Sequence, residues 1–281
     1  MFKKTLSFLS VLALLVSCNK SEPLVPVNVK VHDFHIAIDT FSDTKATSPS
    51  AFNDITALTL AFYNGDTEVY KTTQAKGSEG YGSFSLALPM GSYTLVALGY
   101  YSLESSPITL TSPTEASYTG SHAMETFAYT QAVNITNTSD VNLSITLDRI
   151  CSQLQVISTD GKTANASKVK VTLSGGSRSF NPTTGLALDD DGFDNTVNIS
   201  ASVGTPSTSK TFLFLSDDEE TLDVTIDVLD ADGESISHKV VEDVPFQRNR
   251  VTKLTGSVYS ADAGATFQLN GAWLSDNTVN F

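Results

Sequence analysis

Apolar and polar residues alternate along most of this chain with a period of two, the spacing that puts every second side chain on one face of a strand. Val27, Val29 and Val31 share a face, and the apolar phase then moves to Phe34, Ile36 and Ile38, which predicts a bulge at His32 and Asp33. Polar residues Ser42 to Asn53, with Pro49, interrupt the pattern. Leu58, Leu60 and Phe62 then predict a strand closed by the hairpin signal Asn64-Gly65-Asp66, with Glu68 to Thr73 as its return. Phe84, Leu86 and Leu88 lead through Pro89-Met90-Gly91 into Thr94 to Tyr100, which reads as strand, tight turn, strand. Ser102 to Gln131 lacks periodicity and reads as irregular crossovers, after which Val133 to Thr136 and Val141 to Leu147 complete about seven strands, the number typical of one sandwich.

The phase changes again at Asp148-Arg149, where Ile150, Leu154 and Val156 take over, and a domain boundary is placed there. Val169 to Leu173, Val197 to Val203, Phe212 to Leu215, Leu222 to Val228, Ile236 to Val241, Val251 to Tyr259 and Ala265 to Trp273 are the strands of the second set. Leu222, Val224, Ile226 and Val228 alternate with Asp223, Thr225 and Asp227, one face dry and one wet. No window shows helical periodicity and no segment repeats at a fixed period, so the expectation is an all-β chain of two tandem β-sandwich domains, residues 27–148 and 149–281.

The amino terminus carries a different pattern. Lys3 and Lys4 precede an apolar run from Leu6 to Val16, the layout of a secretory signal over residues 1–17, and a run this short does not span a bilayer. Leu15-Val16-Ser17-Cys18 resembles the lipobox of bacterial lipoproteins, which implies acylation of Cys18 and a lipid anchor followed by a short tether, residues 18–26. Without residues 1–17 the chain keeps 15 Lys+Arg against 31 Asp+Glu, a net charge of −16, which argues against nucleic acid and against anionic lipid as partners. With Cys18 acylated, Cys151 has no partner for a disulfide and reads as a buried thiol.

Catalytic and metal constellations are weak. The acidic turns at Asp189-Asp190-Asp191-Gly192-Asp194 and Asp230-Asp232-Gly233 lack the end ligands of an EF-hand loop and read as solvated turns. His32 and His35 point to opposite faces of a strand, and HExxH, paired CxxC and Gly-x-Ser-x-Gly motifs are missing. The expectation is therefore no enzyme, no cofactor and no metal. A sugar-binding platform would need clustered exposed aromatics, and the sequence offers Trp273, the pair Tyr100-Tyr101 and scattered tyrosines.

Two segments resemble a family. Leu88-Pro89-Met90-Gly91-Ser92-Tyr93 is similar to the turn of transthyretin-like sandwiches, in which Gly takes the turn and Tyr packs beside it. Pro245 to Gly256, with Arg248-Asn249-Arg250, resembles the polar corner before a late strand in Bacteroidetes fimbrillin-like proteins, the type V pilin subunits. The resemblance implies two transthyretin-like domains in a lipoprotein precursor of the cell outer membrane that becomes a structural or adhesive fimbrial subunit. Its partners would be other fimbrial subunits and a host or bacterial surface receptor. In that family proteolysis after an arginine removes the first strand, and a strand of a neighbouring subunit fills the groove. Here Val27 to Phe41 suits the removed strand, and Phe267, Leu269 and Trp273 in Ala265 to Phe281 suit the donor. Arginine is absent from the expected place, where Lys45-Ala46 stands, and the first arginine of the mature chain is Arg149. The competing expectation is a surface glycan-binding lipoprotein of a nutrient-uptake system.

Overall fold

The computed structural model describes residues 23–35, 55–260 and 268–269, with the backbone alone for 32–35 and 268–269, and among these residues there is no helix. The first half contains β1 (Leu24–His35), β2 (Ala57–Asn64), β3 (Thr67–Ala75), β4 (Ser83–Pro89), β5 (Gly91–Tyr100), β6 (Ile108–Ser112), β7 (Glu115–Tyr118), β8 (Thr126–Ile135) and β9 (Val141–Arg149). Seven of these hydrogen-bond in the order β3-β2-β5-β8-β9-β1-β4. The β8–β9 ladder is confined to Phe127↔Arg149 and Ala128↔Asp148, so the sheet folds over at this corner. Inward residues of β1, β4 and β9 then meet those of β2, β5 and β8 in one core, among them Val27, Phe84 and Ile145 against Leu60, Leu95 and Phe127.

The second half contains β10 (Ser152–Ser158), β11 (Lys168–Leu173), β12 (Ser179–Phe180), β13 (Phe193–Asn198), β14 (Thr208–Leu213), β15 (Glu219–Leu229), β16 (Ser235–Gln247), β17 (Val251–Gly256) and β18 (Gln268–Leu269). Two four-stranded sheets, β14-β10-β17-β18 and β13-β11-β15-β16, enclose a second core. Its dry face includes Leu222, Val224, Ile226 and Val228, as the alternation predicts.

Several turns follow directly from the residues that make them. Between β2 and β3, Gly65 stands at φ 60 as the first central residue, so the hairpin turns on Gly65-Asp66, one position later than Asn64-Gly65. The bulge of β1 lies between Val31 and Asp33, where the pattern puts it. At the β4–β5 turn the Tyr93 hydroxyl donates to the Pro89 carbonyl at 3.0 Å, and a Cβ on Gly91 would come within 3.1 Å of that hydroxyl. The turn does not make a hairpin: β4 pairs with β1, while β5 pairs with β2 and β8 on the opposing layer. Between β16 and β17, Asn249 takes the left-handed conformation at φ 59 and donates its amide to the Cys151 carbonyl.

Four expectations change. The stretch from Ser102 to Gln131 is not irregular: it holds β6, β7 and the start of β8. The strand read at Val197 to Val203 is instead Phe193–Asn198, and β1 already begins at Leu24, inside the stretch read as tether. The count of seven strands per half is also too low, because β6, β7 and β12 form a further sheet of three.

That third sheet lies over a third core, which draws on both halves of the chain. Ala61, Tyr63, Val96 and Leu98 on the outer faces of β2 and β5 join Tyr118, Cys151, Phe180 and Phe214. Phe180 and Phe214 stack at 4.2 Å between centroids, and Cys151 is fully buried, its thiol pushed up to about 12 by burial. Strands β2 and β5 are thus buried on both faces, which couples the halves. Phe214→Ala is expected to cost about 3–5 kcal/mol. It should lower a single thermal transition in which Cys151 becomes reactive to thiol reagents only as the whole chain unfolds; two separate transitions in the parent protein would contradict the coupling.

Candidate assembly site around the first strand

The strand nearest the amino terminus, β1, has neighbours on both edges. Leu24 to Lys30 run antiparallel to Pro89 to Ser83 of β4, and Val27 to His35 run parallel to Val141 to Asp148 of β9. Alternation sends Val25, Val27, Val29 and Val31 inward, each no more than 5% exposed. Beneath them lie Phe84 and Leu88 of β4, Ile145 and Leu147 of β9, and the inward faces of β2 and β5. Burying each valine contributes about 1.5–3 kcal/mol before entropy is counted, so β1 is an integral part of this core.

Removing β1 would leave two unpaired backbone edges flanking an apolar trough. That is the arrangement an added strand satisfies, with main-chain hydrogen bonds supplying affinity and alternate side chains supplying fit. The covalent link from β1 to the other described strands is residues 36–56, because β2 begins at Ala57. A cut in that link would therefore separate β1 without severing any other described strand.

The outward face of the slot is polar. Asn28 of β1 stands in register with Asn142 of β9 and Ser85 of β4. Its Nδ2 donates to Asn142 Oδ1 at 3.1 Å, and its Oδ1 accepts from Ser85 Oγ at 2.9 Å.

At the other end of the chain a carboxylate fixes where the carboxy-terminal segment departs. Asp160 accepts hydrogen bonds from Ser257 Oγ (2.7 Å) and from the amides of Val258 (2.8 Å), Tyr259 (2.9 Å) and Ser260 (2.8 Å). Burial opposes ionisation of this group, but these hydrogen bonds outweigh it and hold the carboxyl below its ordinary range. Beyond this clasp, Leu269 of β18 pairs with Leu254 of β17 and Gln268 with Thr255, at the edge of that sheet.

The sequence-derived residues are thus only partly placed. Cys18, Lys45, Ala46, Phe267 and Trp273 lie outside the described residues, and of Leu269 the backbone alone is described. Tyr100 is buried while Tyr101 is 44% exposed, so the aromatic pair is split between core and surface. The acidic turns bind their own backbone and neighbours: Asp190 accepts from the Gly176 amide, Asp230 from the amides of Asp232 and Glu234, and Asp194 pairs with Lys170 and Thr172. Arg149 pairs with Glu125 and lies over the Phe127 ring. The Asp160 clasp and the Asn28 ladder escaped the sequence reading, because each joins residues at least 57 positions apart.

Residues 57–279 match the model of a family of unknown function, DUF6562. No curated protein matches the sequence. Among solved structures, a candidate polysaccharide-binding protein (DUF1812) from Bacteroides thetaiotaomicron shows 12% identity and a TM-score of 0.51, with 88% of this chain and 96% of that one covered. The fimbrial anchor protein Mfa2 from Porphyromonas gingivalis shows 13% identity and a TM-score of 0.50, covering 89% and 98%. A candidate adhesin from Bacteroides ovatus shows 12% identity and a TM-score of 0.50, covering 85% and 88%. At these identities the likeness is one of fold, and at that level the resemblance to Bacteroidetes fimbrillin-like proteins holds.

The clasp makes a pH prediction. Asp160 is more acidic in the folded chain than its ordinary value of 3.8, so the folded state binds fewer protons than the unfolded one. The stability it contributes is present above that ordinary value and is lost as pH falls through the depressed one. Asp160→Asn is expected to cost about 1–3 kcal/mol at neutral pH. Denaturant titrations from about pH 5 downward should show the gap between parent and variant closing; a gap independent of pH would contradict the ionised clasp.

Proposed function

We propose, from the premise that the chain belongs to the DUF6562 family, that it is a structural or adhesive subunit of a cell-surface fimbria, assembled by exchange of its first strand. In this reading the protein is exported as a lipoprotein, held at the outer membrane through Cys18, and cut between Lys45 and Ala46. The cut strand is then replaced in its slot by a strand of another subunit. The body that remains is two tandem transthyretin-like domains without catalysis, and its partners are other fimbrial subunits and a surface receptor.

The observation that carries the reading is the position of β1. It is the strand next to the tether, it fills a core it shares with six other strands, and its one covalent link to them contains Lys45-Ala46. A strand that only closed a sandwich could sit at an edge, whereas this one would leave two unpaired edges behind when it goes. The fold shared with a fimbrial anchor protein supports the same reading. The glycan-binding alternative has less support: it needs a platform of exposed aromatics, and among the described residues Tyr101 is the aromatic with substantial exposure.

Mass spectrometry of the fibre-associated protein tests the processing. A mature amino terminus at Ala46 is expected, and an acylated Cys18 retained in assembled subunits would contradict it. Truncation after Ser260 tests the donor: the variant should fold with an unchanged thermal transition yet fail to enter polymers. Normal polymerisation by that variant would remove the carboxy-terminal segment from the proposal.

A further inference from the structure

The seven-stranded order begins with β3 and ends with β4, and no ladder joins these two strands, so the first sandwich keeps a seam between them. At one end of that seam a side chain does what a strand would. Gln74 of β3 accepts from the Gly82 amide through Oε1 at 2.9 Å, and its Nε2 donates to the Ser83 carbonyl at 2.8 Å. A carboxamide offers the same acceptor and donor as a peptide unit, which lets glutamine stand in for one.

The backbone that Gln74 holds is where β1 parts from β4. Their register closes at Lys30↔Ser83, and one further bond follows, from the Val31 amide to the Gly82 carbonyl at 2.8 Å. Past Val31 comes the bulge, and Asp33 to His35 pair with β9 alone. Gly82 is buried at φ 85, a conformation that suits glycine, so its carbonyl meets Val31 only while the loop before it keeps its shape. That loop is closely wound, with the amide of Ser78 donating to the Ala75 carbonyl, that of Tyr81 to Ser78 and that of Ser83 to Gly80. It also holds the far end of the link: the Tyr81 hydroxyl donates to the Ile55 carbonyl at 3.2 Å and the Lys76 amide to the Thr56 carbonyl at 2.8 Å.

We infer that Gln74 is a positioning residue that sets how readily β1 leaves its slot. The inference rests on the strand-exchange reading above and concerns the step before any new strand arrives. A cut in the link frees β1 at its carboxy-terminal end, and a strand frays from a free end inward. Asp33 to His35 give up one edge as they open, whereas Val31 is the first residue that must give up both. Gln74 holds the Gly82 carbonyl in place at that point, so it guards the opening step after which the rest of β1 unzips. Its two hydrogen bonds lie near the surface and add little to overall stability. Their effect is on this one local event.

Residue-resolved hydrogen exchange on the full-length, uncut chain tests the lock. In Gln74→Leu the Val31 amide should exchange at least about fivefold faster than in the parent, the factor expected for one net hydrogen bond. The amides of Leu60 and Ile226 should keep their rates, and the thermal transition should not move. Gln74→Glu keeps the acceptor for Gly82 and loses the donor for Ser83, so its Val31 rate should fall between the two. After limited proteolysis within the link, β1 should separate from the Gln74→Leu body, followed by gel filtration, at least about fivefold faster than from the parent. An unchanged Val31 rate, or acceleration of all amides together, would overturn the lock, and so would equal release from the two cut chains. Retention of β1 by both cut chains would contradict strand exchange itself, and the Val31 rate in the uncut chains would then decide the lock alone.

Discussion

A strand paired on both edges is held by two rows of backbone hydrogen bonds and by whatever its inward face buries, and β1 has all three. Its partners are distant in sequence: β4 antiparallel on one side and β9 parallel on the other. The parallel contact matters most, because it closes the first sandwich between the amino-terminal strand and one that ends just before the second half begins. The core around Val25 to Val31 draws on that closure, since Phe84, Ile145 and Leu147 belong to the same buried cluster. The same feature makes the strand exchangeable. Any extended segment with alternating apolar residues can satisfy the two edges and the trough, provided the original strand has first been cut from the chain.

The second half is coupled to this arrangement through the third core rather than through a flexible linker. β9 ends at Arg149 and β10 begins at Ser152, with Ile150 and Cys151 buried between them. Around them Tyr118, Phe180 and Phe214 cover the outer faces of β2 and β5. Placing ring stacks and a buried thiol at the junction makes the two sandwiches mutually dependent. Such a junction puts a packed core, not a flexible linker, between the first sandwich and the half of the chain from which the carboxy-terminal segment departs. Asp160 fixes that departure point by binding four consecutive residues with one carboxylate.

Much of this was legible in the sequence wherever one face of a strand is dry and the other wet. Leu222 to Val228 and Val27 to Val31 show the alternation plainly, and the shift after Val31 marks the bulge. Gly91 with Tyr93, and Asn249 in its corner, could be read because tight turns demand particular residues. Strands β6 and β7 were hidden by their shortness and by Ser, Thr and Pro, composition that usually marks loops. The third core was hidden for another reason: strands buried on both faces, such as β2 and β5, lose the period of two that reveals a strand's orientation. For the site, the valines announced a face in need of cover, but not which strands supply it. Parallel pairing of β1 with β9 and the Asn28–Asn142–Ser85 ladder depend on the closed topology, which local pattern does not encode.

The central claim is that the slot between β4 and β9 is where subunits join. The most direct measurement is cryo-electron microscopy of fibres taken from the native cell surface, at a resolution that traces side chains. The account predicts that in shaft subunits the strand between β4 and β9 belongs to a neighbouring copy and carries the aromatic side chains of its carboxy-terminal segment. Shaft subunits in which residues 24–35 of the same chain still fill the slot would contradict it.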